Sequence, residues 1–171
     1  MNLTFESLQV LNDLVRINKD RVEGYKRASY DTSVSDLKAL FCNMADESRK
    51  NITSLTREAI AAQGNPINEL TPIGRIYNAW LTSQLKFEGE NNDSVLNTCE
   101  FIELASLNAY KASKLSSLSS HLIELIEHQE QSLETSYNVI RAYRRVYAKD
   151  EKCLIQNSKK SMEWYYNAKL S

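Results

Sequence analysis

The sequence predicts an all-α fold: a four-helix bundle with a long crossover carrying a short helix, plus a C-terminal helical tail. Three observations carry that prediction. Only four Gly and two Pro punctuate the 171 residues, too few for a chain built on tight turns. In every long segment the apolar residues recur at steps of three and four, which places them on one face of a helix. In four of these segments the apolar face is interrupted near mid-length by polar residues that keep the inward register. Helices meeting at a common polar layer would explain the coincidence, because each buried polar group left without a partner costs roughly 1–3 kcal/mol.

The first helix is expected to be capped by Ser7 and to bury Leu8, Leu11, Val15, Asn18, Val22 and Tyr25. Gly24 is a weak helix former, and its position beside Glu23 predicts close packing against a neighbouring helix. Asp31 to Ser35 read as a turn, with Ser35 or Asp36 capping a second helix. That helix buries Leu37, Phe41, Met44, Ser48, Asn51 and Leu55 and ends near Ala62, where Gln63-Gly64-Asn65-Pro66 forms a stop signal.

Residues 67–90 read as the crossover, with a short helix around Ile73, Ile76, Tyr77, Trp80, Leu81 and Leu85. A connection of this length lets the second and third main helices run parallel. Asn91, Asn92, Asp93 and Ser94 open the third helix, which turns Leu96, Cys99, Glu103, Ser106 and Tyr110 inward. The Ser-rich run KASKLSSLSS forms the next turn, and the fourth helix carries Leu122, Leu125, Gln129, Ser132, Ser136, Ile140, Tyr143 and Tyr147 on one stripe. Beyond Tyr147 the composition becomes charged and ends in Trp164, Tyr165 and Tyr166, as a shorter fifth helix or an extension of the fourth. The expected division is therefore a bundle over 1–147 and a tail over 148–171.

Composition narrows the function classes. With 21 basic and 22 acidic residues the formal net charge is −1, which leaves no overall field to draw in nucleic acid or an anionic membrane. Cys42, Cys99 and Cys153 are odd in number and lack a C-x-x-C pairing, so they read as reduced thiols in a cytoplasmic protein. The N-terminus has no basic region followed by an apolar run, and no apolar stretch reaches membrane-spanning length. Neither a Gly-rich phosphate loop nor a G-x-S-x-G nucleophile turn is present. Arg141, Arg144, Arg145 and Lys149 cluster where the fourth helix is expected to end, where cations complement the helix dipole. His121 and His128 read as surface residues.

The interesting chemistry is confined to the polar layer: Asn18 with flanking Glu23, Ser48 and Asn51 with flanking Glu47, Glu103 with flanking Glu100, and Gln129 with Ser132. Such groups must meet one another, a water or an ion. Bundles that hold two iron or manganese ions place a Glu on each of two helices and Glu-x-x-His on each of the other two.

The run LNDLVRINKDRVEGYKRA, followed by LKALF, ESRK, the Gln-Gly-Asn-Pro turn, RIYNAW and CEFIELASLNAYKAS, resembles a family of uncharacterised bacterial ferritin-like four-helix-bundle proteins, formerly a domain of unknown function. The resemblance covers residue 8 to about 145. It implies an up-down helix pair, a crossover and a second pair, with Glu23 and Glu103 at the positions of the first- and third-helix metal ligands. The two Glu-x-x-His pairs would fall on Ser48 with Asn51 and on Gln129 with Ser132, which retain neither carboxylate nor imidazole. The expectation is a non-enzymatic bundle with no cofactor, structural or partner-binding and linked to stress physiology as ferritin-like relatives suggest. The alternative is a di-metal carboxylate oxidoreductase or metal-storage protein using iron or manganese. Tyr77, Trp80, Phe87, Trp164, Tyr165 and Tyr166 exceed what the ends of one bundle readily cover, so a homodimer is the expected partner state.

Overall fold

The structure, a computed structural model, describes residues 4–61, 74 and 91–169, with side chains as far as residue 148. Among the described residues the long elements are four helices, α1 (Phe5–Asp31), α2 (Ser35–Ala61), α3 (Asn92–Ser113) and α4 (Ser120–Lys169), and there is no strand. The helix starts follow from local hydrogen bonding. Thr4, not Ser7, caps α1: its backbone is extended and its Oγ1 accepts from the Ser7 amide at 3.1 Å. That is the three-residue offset a capping hydroxyl requires. Ser7 is buried and donates instead to the Ser117 carbonyl at 3.3 Å. Ser35 and Asp36 both lie in the first turn of α2. Asn91 caps α3, its Oδ1 accepting from the Ser94 amide at 2.8 Å.

Contacts at the two ends set the directions. Ser7 meets Ser117 at one end, and Thr32 donates to Asn92 Oδ1 at 2.6 Å at the other, so α1 and α3 are antiparallel. Since α2 returns alongside α1, α2 and α3 run the same way. The expected crossover helix, with Tyr77, Trp80 and Phe87, lies outside the described residues. Gly74 alone is placed there, and a Cβ on it would come within 2.5 Å of the buried Asp13 carboxylate, so a larger residue would force that side chain to shift. Gly24 likewise packs closely against α3, where a Cβ would meet Ile102 Cδ1 at 2.9 Å.

The core has two apolar parts. One gathers Leu11, Leu14, Ile17, Leu55, Leu122 and Ile126; the other gathers Tyr25, Leu37, Phe41, Met44, Leu96 and Ile140. Between them lie buried polar residues from all four helices. The inward faces are wider than a single stripe, as a 3.6-residue period allows. Leu14, Ile17 and Arg21 complete the face of α1, while Leu8 and Val15 are only half-buried. On α4, Ile126 and Leu133 are fully buried beside Gln129, and Leu125 and Ser132 lie at the edge.

The backbone of α4 runs unbroken for 50 residues, about 75 Å at 1.5 Å per residue. The boundary expected at 147/148 therefore falls inside a helix, with the side chains of Cys153, Trp164, Tyr165 and Tyr166 outside the described residues. The same continuity overturns the dipole reading of the arginine cluster. Arg141, Arg144 and Arg145 are mid-helix, and two of them are drawn to acids of α3: Arg144 Nη1 lies 2.7 Å and Arg141 Nε 3.4 Å from Glu100. Cys42 is exposed and Cys99 buried, both free. Among the described residues no helix is long and apolar enough to cross a membrane.

Candidate functional site: the polar layer

The layer forms because α1 carries Asn18, Arg21 and Tyr25 on its inward face, spaced at three and four residues. Opposite them α3 presents Glu103, Ser106 and Tyr110 at the same period. Arg21 and Glu103 are both fully buried, and Arg21 Nε donates to Glu103 Oε1 at 2.8 Å. The Tyr25 hydroxyl donates to that same oxygen, and the Arg21 guanidinium lies 5.7 Å from the Tyr25 ring centroid, within cation–π range.

From this pair a hydrogen-bonded chain crosses the bundle. Asn18 Oδ1 accepts from Arg21 Nη1 at 3.2 Å and from Asn51 Nδ2 at 3.3 Å. Asn18 Nδ2 donates to the Leu14 carbonyl at 2.8 Å and to the Tyr110 hydroxyl at 2.6 Å. Tyr110 donates to Gln129 Oε1 at 2.8 Å, and Gln129 Nε2 donates to Ser54 Oγ at 2.8 Å. The Ser54 hydroxyl donates to the Asn51 backbone carbonyl at 3.0 Å. All four helices are thus joined by side chains whose donors and acceptors are largely used on one another, the arrangement in which buried polar groups rigidify a core. Ser48 and Ser106 are buried too, but donate to Met44 and Ile102 carbonyls of their own helices, each at 2.8 Å.

Burial and the Glu103 charge set the protonation states. Burial opposes the charge on Arg21, but Glu103 and its hydrogen bond outweigh it, and the guanidinium pKa is raised. The Tyr25 phenol is pushed well above its ordinary range by burial first and Glu103 second. Burial is also the main cause of the upward shift of Tyr110 and of the Cys99 thiol.

Of the residues singled out in the sequence, Asn18, Ser48, Asn51, Glu103 and Gln129 lie buried at this level. Ser132 is half-buried at its edge, donating to Glu47 Oε1 at 2.5 Å. Glu23 points the other way: its side chain is 72% exposed and pairs with Lys26 at 2.9 Å. Residue 23 is turned roughly 200° around the helix from Arg21, and so cannot share its face. Glu100 is held by Arg141 and Arg144 at the surface between α3 and α4. His128 is exposed, and exposed His121 lies 3.2 Å from Glu58.

This donor set does not fit a di-metal centre. Hard divalent ions need several carboxylate or imidazole ligands converging on one point, and among the described residues no group of three His, Cys, Asp or Glu converges. Glu103 already faces a guanidinium. A divalent ion about 5 Å from that guanidinium would be repelled by roughly 6–7 kcal/mol at an effective dielectric near 20. Arg21 Nη2 and Glu103 Oε2 are the pair's atoms with no hydrogen-bond partner among the described residues, a donor and an acceptor rather than two anionic ligands.

No curated protein matches the chain. Over residues 6–114, which take in α1, α2, α3 and every helix of the polar network except the one that supplies Gln129, the chain matches the profile described as "Domain of unknown function (DUF2383)", and it belongs to that family.

Proposed function

We propose that this protein is a non-enzymatic, ferritin-like helical bundle that acts through its surface as a structural or partner-binding protein, the metal centre implied by such a fold having degenerated. One observation carries the reading. Among the described residues, the buried polar groups of four helices largely satisfy one another around the Arg21–Glu103 pair, and no group of three His, Cys, Asp or Glu converges as metal ligands would. Glu103 is then a remnant of a ligand position with a structural job, and Glu23 a surface residue. A second copy of the chain is the first partner to seek, because aromatic residues concentrated in the crossover and tail suit an interface core.

Elemental analysis of the protein purified without chelators tests this reading, together with an iron-oxidation assay. Less than a tenth of an equivalent of iron or manganese and no ferroxidase activity are expected; two tightly held ions per chain would overturn it. Light scattering after gel filtration, on the full chain and on one ending at Tyr147, checks the dimer. A full-length monomer at micromolar concentration would remove the self-association part of the proposal.

A further inference from the structure

We infer that the Arg21 guanidinium is the resident cation of the polar layer, holding beside Glu103 the place that a metal ion takes in bundles with a carboxylate centre. The inference rests on the non-enzymatic reading above and gives the layer a chemical specificity: it is a binding site for a planar guanidinium.

The contacts are those of a guanidinium rather than of a generic positive charge. One edge donates to a carboxylate, Arg21 Nε to Glu103 Oε1 at 2.8 Å, and a second nitrogen donates to an amide oxygen, Nη1 to Asn18 Oδ1 at 3.2 Å. The Tyr25 ring lies 5.7 Å from the guanidinium carbon. Fixed donor directions and a weakly hydrated plane let arginine satisfy an edge and a ring together, which a compact ammonium or a metal ion does not. Ser48 of α2 and Ser106 of α3 are fully buried, small, and turned back onto their own helices, so their hydroxyls are bound elsewhere. Within the layer Arg21 is balanced by Glu103, while the Glu47 carboxylate lies at its edge and accepts from Ser132.

If the site recognises a guanidinium, removing the side chain that supplies one should create a pocket that a free guanidinium refills. The test uses full-length Arg21→Ala and thermal unfolding in low-millimolar methylguanidinium chloride, with equal urea, sodium chloride or manganese(II) as controls. Arg21→Ala is expected to melt about 10 °C below the wild type. Methylguanidinium should restore a substantial part of that loss in a saturable way, with no such gain in wild type or in Arg21→Ala/Glu103→Ala. A saturable gain from manganese with none from methylguanidinium would overturn the inference, and so would no gain from either. Should Arg21→Ala fail to fold, the wild type still decides. Its proton–nitrogen NMR spectrum should show one arginine Nε–H strongly protected from exchange, and solvent-rate exchange at every arginine would overturn the assignment. The two proposals fail separately: metal in the wild type sinks the non-enzymatic reading, while a metal-free wild type without rescue sinks only the guanidinium site.

Discussion

Two arginine–glutamate pairs in this bundle have nearly the same length, 2.8 Å for Arg21 with Glu103 and 2.7 Å for Arg144 with Glu100, but not the same surroundings. Both partners of the first have 0% side-chain exposure, whereas those of the second have 39% and 18%. At the rim the pair is also redundant. Arg141 shares Glu100 at 3.4 Å while lying over the Tyr137 ring, and Arg144 reaches toward Asp93 at 3.9 Å. The core pair has no such reserve, because no other described cation reaches Glu103. Contact length therefore says little about what either pair does. Water screens and replaces the outer one, whereas in the core each charge has lost its water and has the other to offset that cost.

The sharpest way to break this comparison is to remove one charge from each pair. Arg21→Met leaves Glu103 buried without its cation and is expected to cost about 3–5 kcal/mol in urea unfolding, whereas Arg21→Met/Glu103→Met recovers most of the loss. A loss below about 1 kcal/mol would show that the two pairs are energetically alike after all.

The next largest effect is a pH dependence that belongs to the core. Tyr25 and Tyr110 have pKa values raised in the folded protein, while the unfolded chain ionises its tyrosines near pH 10. Above that pH the unfolded state binds fewer protons, so stability is full below it and falls as pH rises. The slope approaches about 1.4 kcal/mol per pH unit for each tyrosine. Cys99, raised by burial and then by Glu103, begins the decline nearer the ordinary thiol pKa of about 8.5. Urea midpoints from pH 8 to 11 should fall accordingly, and Tyr110→Phe should flatten the upper part of the curve.

How much of this could be read from the sequence differed between the two pairs. The 3.6-residue pattern is enough to place Leu37, Phe41, Ser48, Asn51, Glu103 and Gln129 on inward faces, all of them buried here. Arg21 was missed because arginine is almost never fully buried unless paired, and its partner is 82 residues away in the chain. The available signal was its spacing, three residues after Asn18 and four before Tyr25. Glu23 stands out through the ferritin-like resemblance, which puts it at a ligand position, but the helical period turns it away from the face of Arg21 and Tyr25. At the other site Arg141, Arg144 and Arg145 were obvious, but their setting was not, since the charged composition after Tyr147 suggested that the helix was ending. Residues 120–169 contain neither Gly nor Pro, and a helix lacking breakers can outrun its apolar face.

At the rim, Arg144→Ala should cost no more than about 1 kcal/mol, because Arg141 remains on Glu100 and solvent takes up the rest. The loss should shrink further between low and high salt, as surface charges are screened within about 10 Å at 0.1 M. Arg21→Met should show no comparable salt dependence. Chemical unfolding of both variants at two ionic strengths makes this measurement, and equal salt sensitivity would erase the distinction between core and rim.

The smallest effect probes why the core pair can form. Gly24 lies on α1 between Arg21 and Ala28, facing Ile102, the neighbour of Glu103 on α3. Glycine here costs helix propensity, and Gly24→Ala would return about 0.8–1 kcal/mol if nothing else changed. The new methyl, however, would meet Ile102 Cδ1 at 2.9 Å. Ile102 is 3% exposed, so its side chain has little room to turn aside, and overpacking offsets the gain. The net change in wild type is expected to be within about 0.5 kcal/mol of zero. Ile102→Val removes the Cδ1 methyl, and in that background Gly24→Ala should stabilise by roughly 0.5–1 kcal/mol. A double-mutant cycle in urea separates the two terms. If Gly24→Ala is equally neutral in both backgrounds, contact with Ile102 is not what opposes the methyl. If it is strongly destabilising in both, the close approach of α1 to α3 that brings Arg21 to Glu103 depends on the glycine itself rather than on the end of one isoleucine.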